Sequence, residues 1–291
     1  MADLGLDTDV EQLDDLRFRA VLSEDWNVWG PIGGYLASVA LRAAGRASGM
    51  ARPASISCDF LNVARFEEVG IEVTRLRSSR RTEALRVSMT QRDRAVLDAT
   101  VWAAAGDLAG PDERLAAAPE VPEPERVPTI EERAAEWGQM SFPQLANCET
   151  RPISWFEGMP GGFGEVNMRG WMRLRPRPVF PGDLWLDACR ALLHIDTSAF
   201  PAVLLACPPG VPFFVAPTMQ LQVSFHDAAP EAEWLLVEGY GMSVRHGLAA
   251  GRAAVWSPDG RLIATGAQQM LCRVVETEQF GESAPPTNAR S

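Results

Sequence analysis

The sequence predicts an α+β fold in which a curled antiparallel sheet wraps round one long helix, built twice along the chain. Three observations carry that expectation. Slid against itself so that Phe60 falls on Phe225, the chain also lays Arg80 on Arg245, Leu97 on Leu262, Ala99 on Ala264 and Thr100 on Thr265, without a gap. Both aligned segments read as three successive strands with matching turns. Each set of strands follows one long apolar helix. With 46% hydrophobic and 8% aromatic residues among 291, there is material for two such cores.

The first helix opens in WGPIGGYLASVALRAAG, residues 29–45. Pro31 has a φ suited to a first turn, and Gly33 and Gly34 let a backbone or a ligand approach where any Cβ would intrude. Leu36, Val39, Ala40, Ala43 and Ala44 then recur at helical spacing, a wall of mostly small residues that suits close packing on a sheet. The strands that follow are SISCDFLNV, EVGIEVTRLRSS and RTEALRVSMTQRDRAVLDATVWAA, the last turning back at QRDR. The second helix starts after PGD with Asp183 as N-cap. It carries Leu184, Ala188, Ala191, Leu192 and Ile195 on one face, with Asp187 and Asp196 at its edges. Its strands are TMQLQVSFH, EWLLVEGYGMSV and GLAAGRAAVWSPDGRLIATGAQQMLCRVV, with a hairpin at SPDG. The halves are expected at residues 1–105 and 150–275, joined edge to edge into one sheet so that two open edges are hidden. Residues 106–149, rich in proline and charge, read as a surface linker with a short helix in TIEERAAEW, and 276–291 as a disordered tail.

Composition removes several function classes. All 27 basic residues are arginine, so a Schiff-base lysine, a pyridoxal phosphate anchor and a P-loop are excluded. A net charge of −11 argues against nucleic acid as a partner and leaves an anionic ligand dependent on a local arginine patch. The acidic start, MADLGLDTDVEQLDDL, is neither a secretory signal nor a transit peptide, and the apolar stretch AVLLACPPGVPFFVAP is proline-broken and too short to span a bilayer. The 5 cysteines form no CxxC, which suggests reduced thiols in a cytoplasmic setting. There is no GxSxG, and His194, His226 and His246 have no metal-ligand spacing, so each reads as a surface or hydrogen-bonded histidine and no metal or other cofactor is expected.

The order of GG-helix, curled sheet, linker, second helix with IDTSAF, then APTMQLQVSFH and DGRLIATGAQQMLCR resembles the bacterial acyl-CoA thioesterase II family, over roughly residues 15–275. That resemblance implies a double hotdog fold. It also implies a catalytic aspartate on the second helix, a threonine or serine opening the next strand, and a glutamine in the last strand five residues before an arginine. Those positions are Asp196, Thr218 and Gln268, with Arg273 after them. Gln269 does not fit the pattern. Read by themselves, Asp196 could be solvated or cap the helix end, and Thr218 could satisfy a backbone group. Gln268 says more: period-two alternation puts it on the apolar face of Leu262, Ala264, Met270 and Cys272, where an amide needs a partner.

The implied activity is hydrolysis of a fatty or related acyl-CoA by direct attack of water. Asp196 would take the proton while Thr218 and Gln268 hold the water, and no covalent nucleophile is required. The glycine-led start of the first helix, Gly33 and Gly34, would lie near the acyl chain. Among Arg75, Arg77, Arg80, Arg81, Arg86, Arg92 and Arg94, Arg80 is the candidate for the phosphates of coenzyme A because it recurs in the repeat, although outward, solvated positions explain such a run as well. Two other readings keep the fold: a non-catalytic acyl-binding protein, and a biosynthetic thioesterase acting on a carrier-protein-bound chain, whose acidic carrier an acidic surface would repel. A chain that already holds two halves is expected as a monomer or a homodimer.

Overall fold

The computed structural model describes residues 2–137, 146–153, 167–208 and 210–275. In the first half a short helix α1 (Leu4–Asp7) and strands β1 (Glu11–Gln12) and β2 (Arg17–Val21) precede helix α2 (Gly33–Ala47) and strands β3 (Arg52–Phe60), β4 (Glu68–Ser78), β5 (Thr82–Gln91) and β6 (Arg94–Ala104). Helix α3 (Ile130–Trp137) follows. The second half has β7 (Cys148–Pro152), β8 (Met168–Leu174), the 23-residue helix α4 (Leu184–Ala206), β9 (Phe214–Val215), β10 (Thr218–Phe225), β11 (Leu235–Arg245), β12 (Leu248–Trp256), β13 (Leu262–Leu271) and β14 (Arg273–Val274). The Asp183 carboxylate caps α4 by accepting the Leu186 N–H at 2.9 Å.

One 12-stranded sheet contains both halves, in the order β1-β2-β4-β5-β6-β3-β10-β13-β12-β11-β8-β7. The halves meet through β3 and β10, antiparallel from Gln220 opposite Asp59 to Ser224 opposite Ser55. The sheet curls round α2 and α4, and the two helices pack on each other inside it. α4 is long and apolar enough to cross a membrane, but contacts with α2 and with β11 to β13 make it a core helix.

Ladder registers correct the alignment of the repeat. In the first half, bulges fall between Arg75 and Arg77 and between the pairs Met89–Leu97 and Thr90–Ala95; in the second they fall between Gly241 and Ser243 and between Val255–Ala264 and Trp256–Leu262. Matching these bulges puts Leu76 with Met242 and Val96 with Ile263. Leu97 therefore corresponds to Ala264, not Leu262, and Thr100 to Ala267, not Thr265. The turn at SPDG is longer than that at QRDR, and the gapless match cannot follow it.

The stretch expected as a surface linker is partly packed. Val121 and Val127 sit with Trp171, Trp234, Leu236 and Trp256 on the outer face of the second half. Trp171 Nε1 donates to the Pro122 carbonyl at 2.9 Å, and Arg151 Nη1 to that of Val127 at 2.9 Å. β7 already begins at Cys148. Residues 138–145 and the expected tail, 276–291, lie outside the described residues.

Two polar residues of α4, Asp187 and His194, are buried, and for the second this corrects the expectation. Asp187 is buried and paired with Arg190 Nη2 at 2.5 Å, while Arg190 reaches the carbonyls of Pro178, Ala229 and Ala232 and so ties two loops to the helix. His194, expected at the surface or in a hydrogen bond, is 1% exposed, and its Nε2 has no hydrogen-bond partner among the described residues. Burial, with Arg190 adding to it, lowers its pKa to about 3, so the ring is neutral.

Candidate active site

The first turn of α2 begins the site. Ile32 is its N-cap in extended conformation and offers no side-chain cap, so the N–H groups of the turn find partners elsewhere. The Gly34 N–H donates to Asp196 Oδ2, on α4 of the other half, at 2.6 Å. A Cβ on Gly34 would lie 2.7 Å from the Cβ of Asp196, and one on Gly33 would lie 3.1 Å from its Oδ1 and 3.2 Å from Phe60 Cζ. Both glycines are thus explained by α4 crossing the start of α2, and the positive end of the α2 dipole faces a carboxylate.

Gln268 holds the other side of that carboxylate. Its Nε2 donates to Asp196 Oδ1 in a short hydrogen bond and to the Asp196 carbonyl at 3.2 Å. The residue is 4% exposed, and Oε1 is buried with no partner among the described residues. Burial raises the pKa of Asp196 to about 6, while the Gly34 N–H and the Gln268 amide pull it back down. A carboxylate held there is ionised at neutral pH yet basic enough to take a proton.

Thr218 reaches the same face of the sheet through a bulge. Counting back by twos from the buried Leu221, opposite Gln268, would turn Thr218 outward. The irregularity between Thr218 and Gln220 instead sets Thr218 opposite Met270, which is fully buried. The Thr218 hydroxyl makes no hydrogen bond among the described residues. Gln269 faces the other way, its Nε2 donating to the Ala249 carbonyl at 3.2 Å.

Two neighbours were not named as site residues from sequence. Phe60, at the end of β3, packs toward Gly33. Cys58 lies opposite Leu221, in one row with Gln268, and is buried. Burial and the carboxylates of Asp59, Asp196 and Asp98 push its thiol far up, so it is no thiolate nucleophile. The signal for both was available in period-two alternation through SISCDFLNV.

Arg80 is not brought to this group. It is exposed in the turn between β4 and β5. Thr82 is opposite Ala104, which is opposite Arg52, eight residues along β3 from Phe60, or roughly 26 Å of strand. Arg273 is exposed in β14 opposite Val215. Among the described residues no three of His, Cys, Asp and Glu come together as metal ligands.

A pseudo-twofold axis passes between the helices, where Ser38 Oγ donates to the Cys189 carbonyl at 3.4 Å and Cys189 Sγ to that of Ser38 at 3.6 Å. The same relation takes Gly34 to Trp185 and Asp196 to Gly45. A Cβ on Gly45 would lie 2.8 Å from Cδ2 of Trp185. Gln268 corresponds to Val101 by the bulge alignment. The twofold copy of the site therefore has a glycine for the carboxylate, a valine for the amide, and an indole in the space.

Comparison with known proteins agrees with this architecture. Residues 22–104 match the model of the acyl-CoA thioesterase N-terminal domain, and residues 120–272 that of the acyl-CoA thioesterase C-terminal domain. Among solved structures, the tesB protein of Mycobacterium avium subspecies paratuberculosis superposes with TM-score 0.73 at 22% identity, covering 93% of this chain and 98% of its own. An acyl-CoA thioesterase II of Mycobacterium marinum gives 0.75 at 19%, covering 94% and 98%. A hotdog-fold protein of Alicyclobacillus acidocaldarius gives 0.73 at 24%, covering 95% and 100%. No curated protein matches the chain. With the two domain models matched in order over most of its length, the chain belongs to the acyl-CoA thioesterase family of thioester hydrolases.

Proposed function

We propose that the chain hydrolyses a fatty or related acyl-CoA to the free acid and coenzyme A by direct attack of water, with Asp196 as the general base. The observation that carries this is the Asp196 carboxylate, fixed between the Gly34 N–H and the Gln268 amide, with its pKa raised to about 6. Each carboxylate oxygen accepts one of these bonds and keeps a lone pair for a water hydrogen. The water oxygen bonds to the thioester carbonyl carbon, its proton passes to Asp196, and the tetrahedral oxyanion collapses with loss of the coenzyme A thiolate, which takes up the proton. Gln268 Oε1, a buried acceptor, takes the second hydrogen of the water, and Thr218, on the same face of the sheet by its register, is the remaining group to hold it. The positive end of the α2 dipole, beside the Asp196 carboxylate, would also favour the charge that develops on the nearby oxyanion. The 5 cysteines are free, which supports a reducing, cytoplasmic setting, and a monomer or a dimer of chains with closed symmetry is the assembly that fits.

The test is thiol release from acyl-CoA substrates over a range of chain lengths. Asp196→Asn should lower the rate by roughly 10² to 10⁴, the worth of a positioned acid or base. Full activity in that variant, or no thiol release by the wild type from any chain length, overturns the proposal.

A further inference from the structure

We propose that the nucleotide end of coenzyme A, a diphosphate carrying a ribose phosphate, binds on the rim formed by residues 61–65 and the β5–β6 turn, with Arg65 and Arg94 as its charge partners. This rests on the acyl-CoA reading above, which puts the thioester at Asp196; Gly33 borders that carboxylate and Phe60 borders Gly33.

The rim is built and fixed. The Leu61 N–H donates to the Val96 carbonyl at 2.9 Å and Asn62 Nδ2 to that of Ala95 at 2.7 Å. Gln91, 8% exposed, accepts the Arg65 N–H on Oε1 at 2.9 Å and donates to the Arg65 carbonyl at 2.9 Å. The loop also borders the entry to α2, since a Cβ on Gly30 would meet Val63 Cγ1 at 3.4 Å. It therefore lies beside the glycine-led turn that holds Asp196.

Charge selects the arginines. Arg92 is neutralised by Glu67 at 2.6 Å and Arg86 by Asp98 at 2.9 Å. Arg65 is exposed with no carboxylate in ion-pair range among the described residues, and Arg94 Nη2 donates at 2.5 Å to a neutral partner, Asn62 Oδ1. On a chain of net charge −11, two cations without carboxylate partners next to the site are where a polyanion would be held. On the same rim and the adjoining entry to α2, Trp29, Leu61 and Val63 are exposed by 50%, 51% and 80%, an apolar surface for the pantoyl methyls and the adenine.

Reach decides against Arg80. The pantetheine arm has about as many in-line bonds as four to five extended residues, roughly 15 Å. Arg65 is five residues beyond Phe60, at most about 17 Å of chain, and Arg94 is three before Leu97, the cross-strand partner of Phe60, about 10 Å. Arg80, on the far side of the sheet's length, is out of range of the diphosphate.

The experiment compares an acyl-CoA with the same acyl group on N-acetylcysteamine, a thioester without a nucleotide, and measures binding of free coenzyme A by calorimetry. In the Arg65→Ala/Arg94→Ala double variant, KM for acyl-CoA and Kd for coenzyme A should each rise about tenfold or more, with no such rise in KM for the cysteamine thioester and with partial recovery in Arg65→Lys. An equal loss on both thioesters, an unchanged coenzyme A affinity, or weakening by Arg80→Ala in place of the double variant overturns the inference. The calorimetry stands even if the wild type hydrolyses neither thioester, so failure of the hydrolase reading and failure of the rim are told apart.

Discussion

A carboxylate that burial holds at a pKa of about 6 is costly to the protein and useful to the reaction. The ordinary value is 3.8, so between the two the folded protein keeps a proton on Asp196 that the unfolded chain has lost. Its contribution to stability is greatest below pH 4, falls as pH rises from about 4 to 6, and is lowest above, by at most roughly 3 kcal/mol for the whole shift. Asp196→Asn removes that penalty. The Asn amide can present its oxygen to the Gly34 N–H, and its nitrogen to Gln268 Oε1 once that amide turns over. The inactive variant should therefore melt above the wild type at pH 8 and level with it at pH 4; an equal gap at both values would show that the charge is not the cause. Catalysis should follow the same group, with an acid limb near pH 6. Gln268→Ala deletes a hydrogen bond to the charged form and should move that limb up by about one unit, which a pH profile of kcat/KM reads directly. At this scale Gln268 was legible, because an amide on an apolar strand face demands a partner. What it bonds was not, since the partner is 72 residues away in sequence.

The pair of helices is the element on which the site depends. α2 contributes no charged side chain to it, only a backbone N–H and the room left by two missing Cβ atoms, and α4 contributes the carboxylate. Gly34→Ala would press a methyl group to 2.7 Å from the Cβ of Asp196, with helix backbone on both sides and no flexible end to yield. That overpacking should cost about 1–3 kcal/mol and displace the carboxylate from Gln268. Activity should fall with a matching drop in the denaturation midpoint, whereas Gly49→Ala, with nothing within 4 Å of its Cβ, is the comparison at an open position. The two helices could be read from the spacing of their apolar residues, and the proline-glycine entry marked where something would come close. Strands β1, β7 and β8 carry too little alternation to be separated from loops, and β2, RFRAV, alternates over only 5 residues. The phase of Thr218 was hidden for another reason: a bulge reverses inside and outside, and only the ladder shows where it falls.

At the scale of the whole molecule, the internal repeat offers two places for a site, and the chain has furnished one. Both lie where the start of one helix crosses the middle or end of the other, related by the axis through Ser38 and Cys189. In the first, Gly34 faces Asp196; in the second, Trp185 lies on Gly45, its Nε1 donating to the Met50 carbonyl at 3.4 Å. The sequence could not show this asymmetry, because the pairs that correspond have no residue type in common. The expected outcome is one ligand site per chain. Calorimetry with a thioether analogue of acyl-CoA, which cannot be hydrolysed, should give a stoichiometry of one. Trp185→Ala should not raise it, since the indole lies against Gly45 and the position that corresponds to Gln268 is Val101, so neither base nor amide is present there. The loss of the ring should instead appear as destabilisation of about 3–5 kcal/mol, with thioester hydrolysis at Asp196 persisting in whatever fraction stays folded. A stoichiometry of two in the wild type would mean that the indole moves aside and that both crossings bind the ligand.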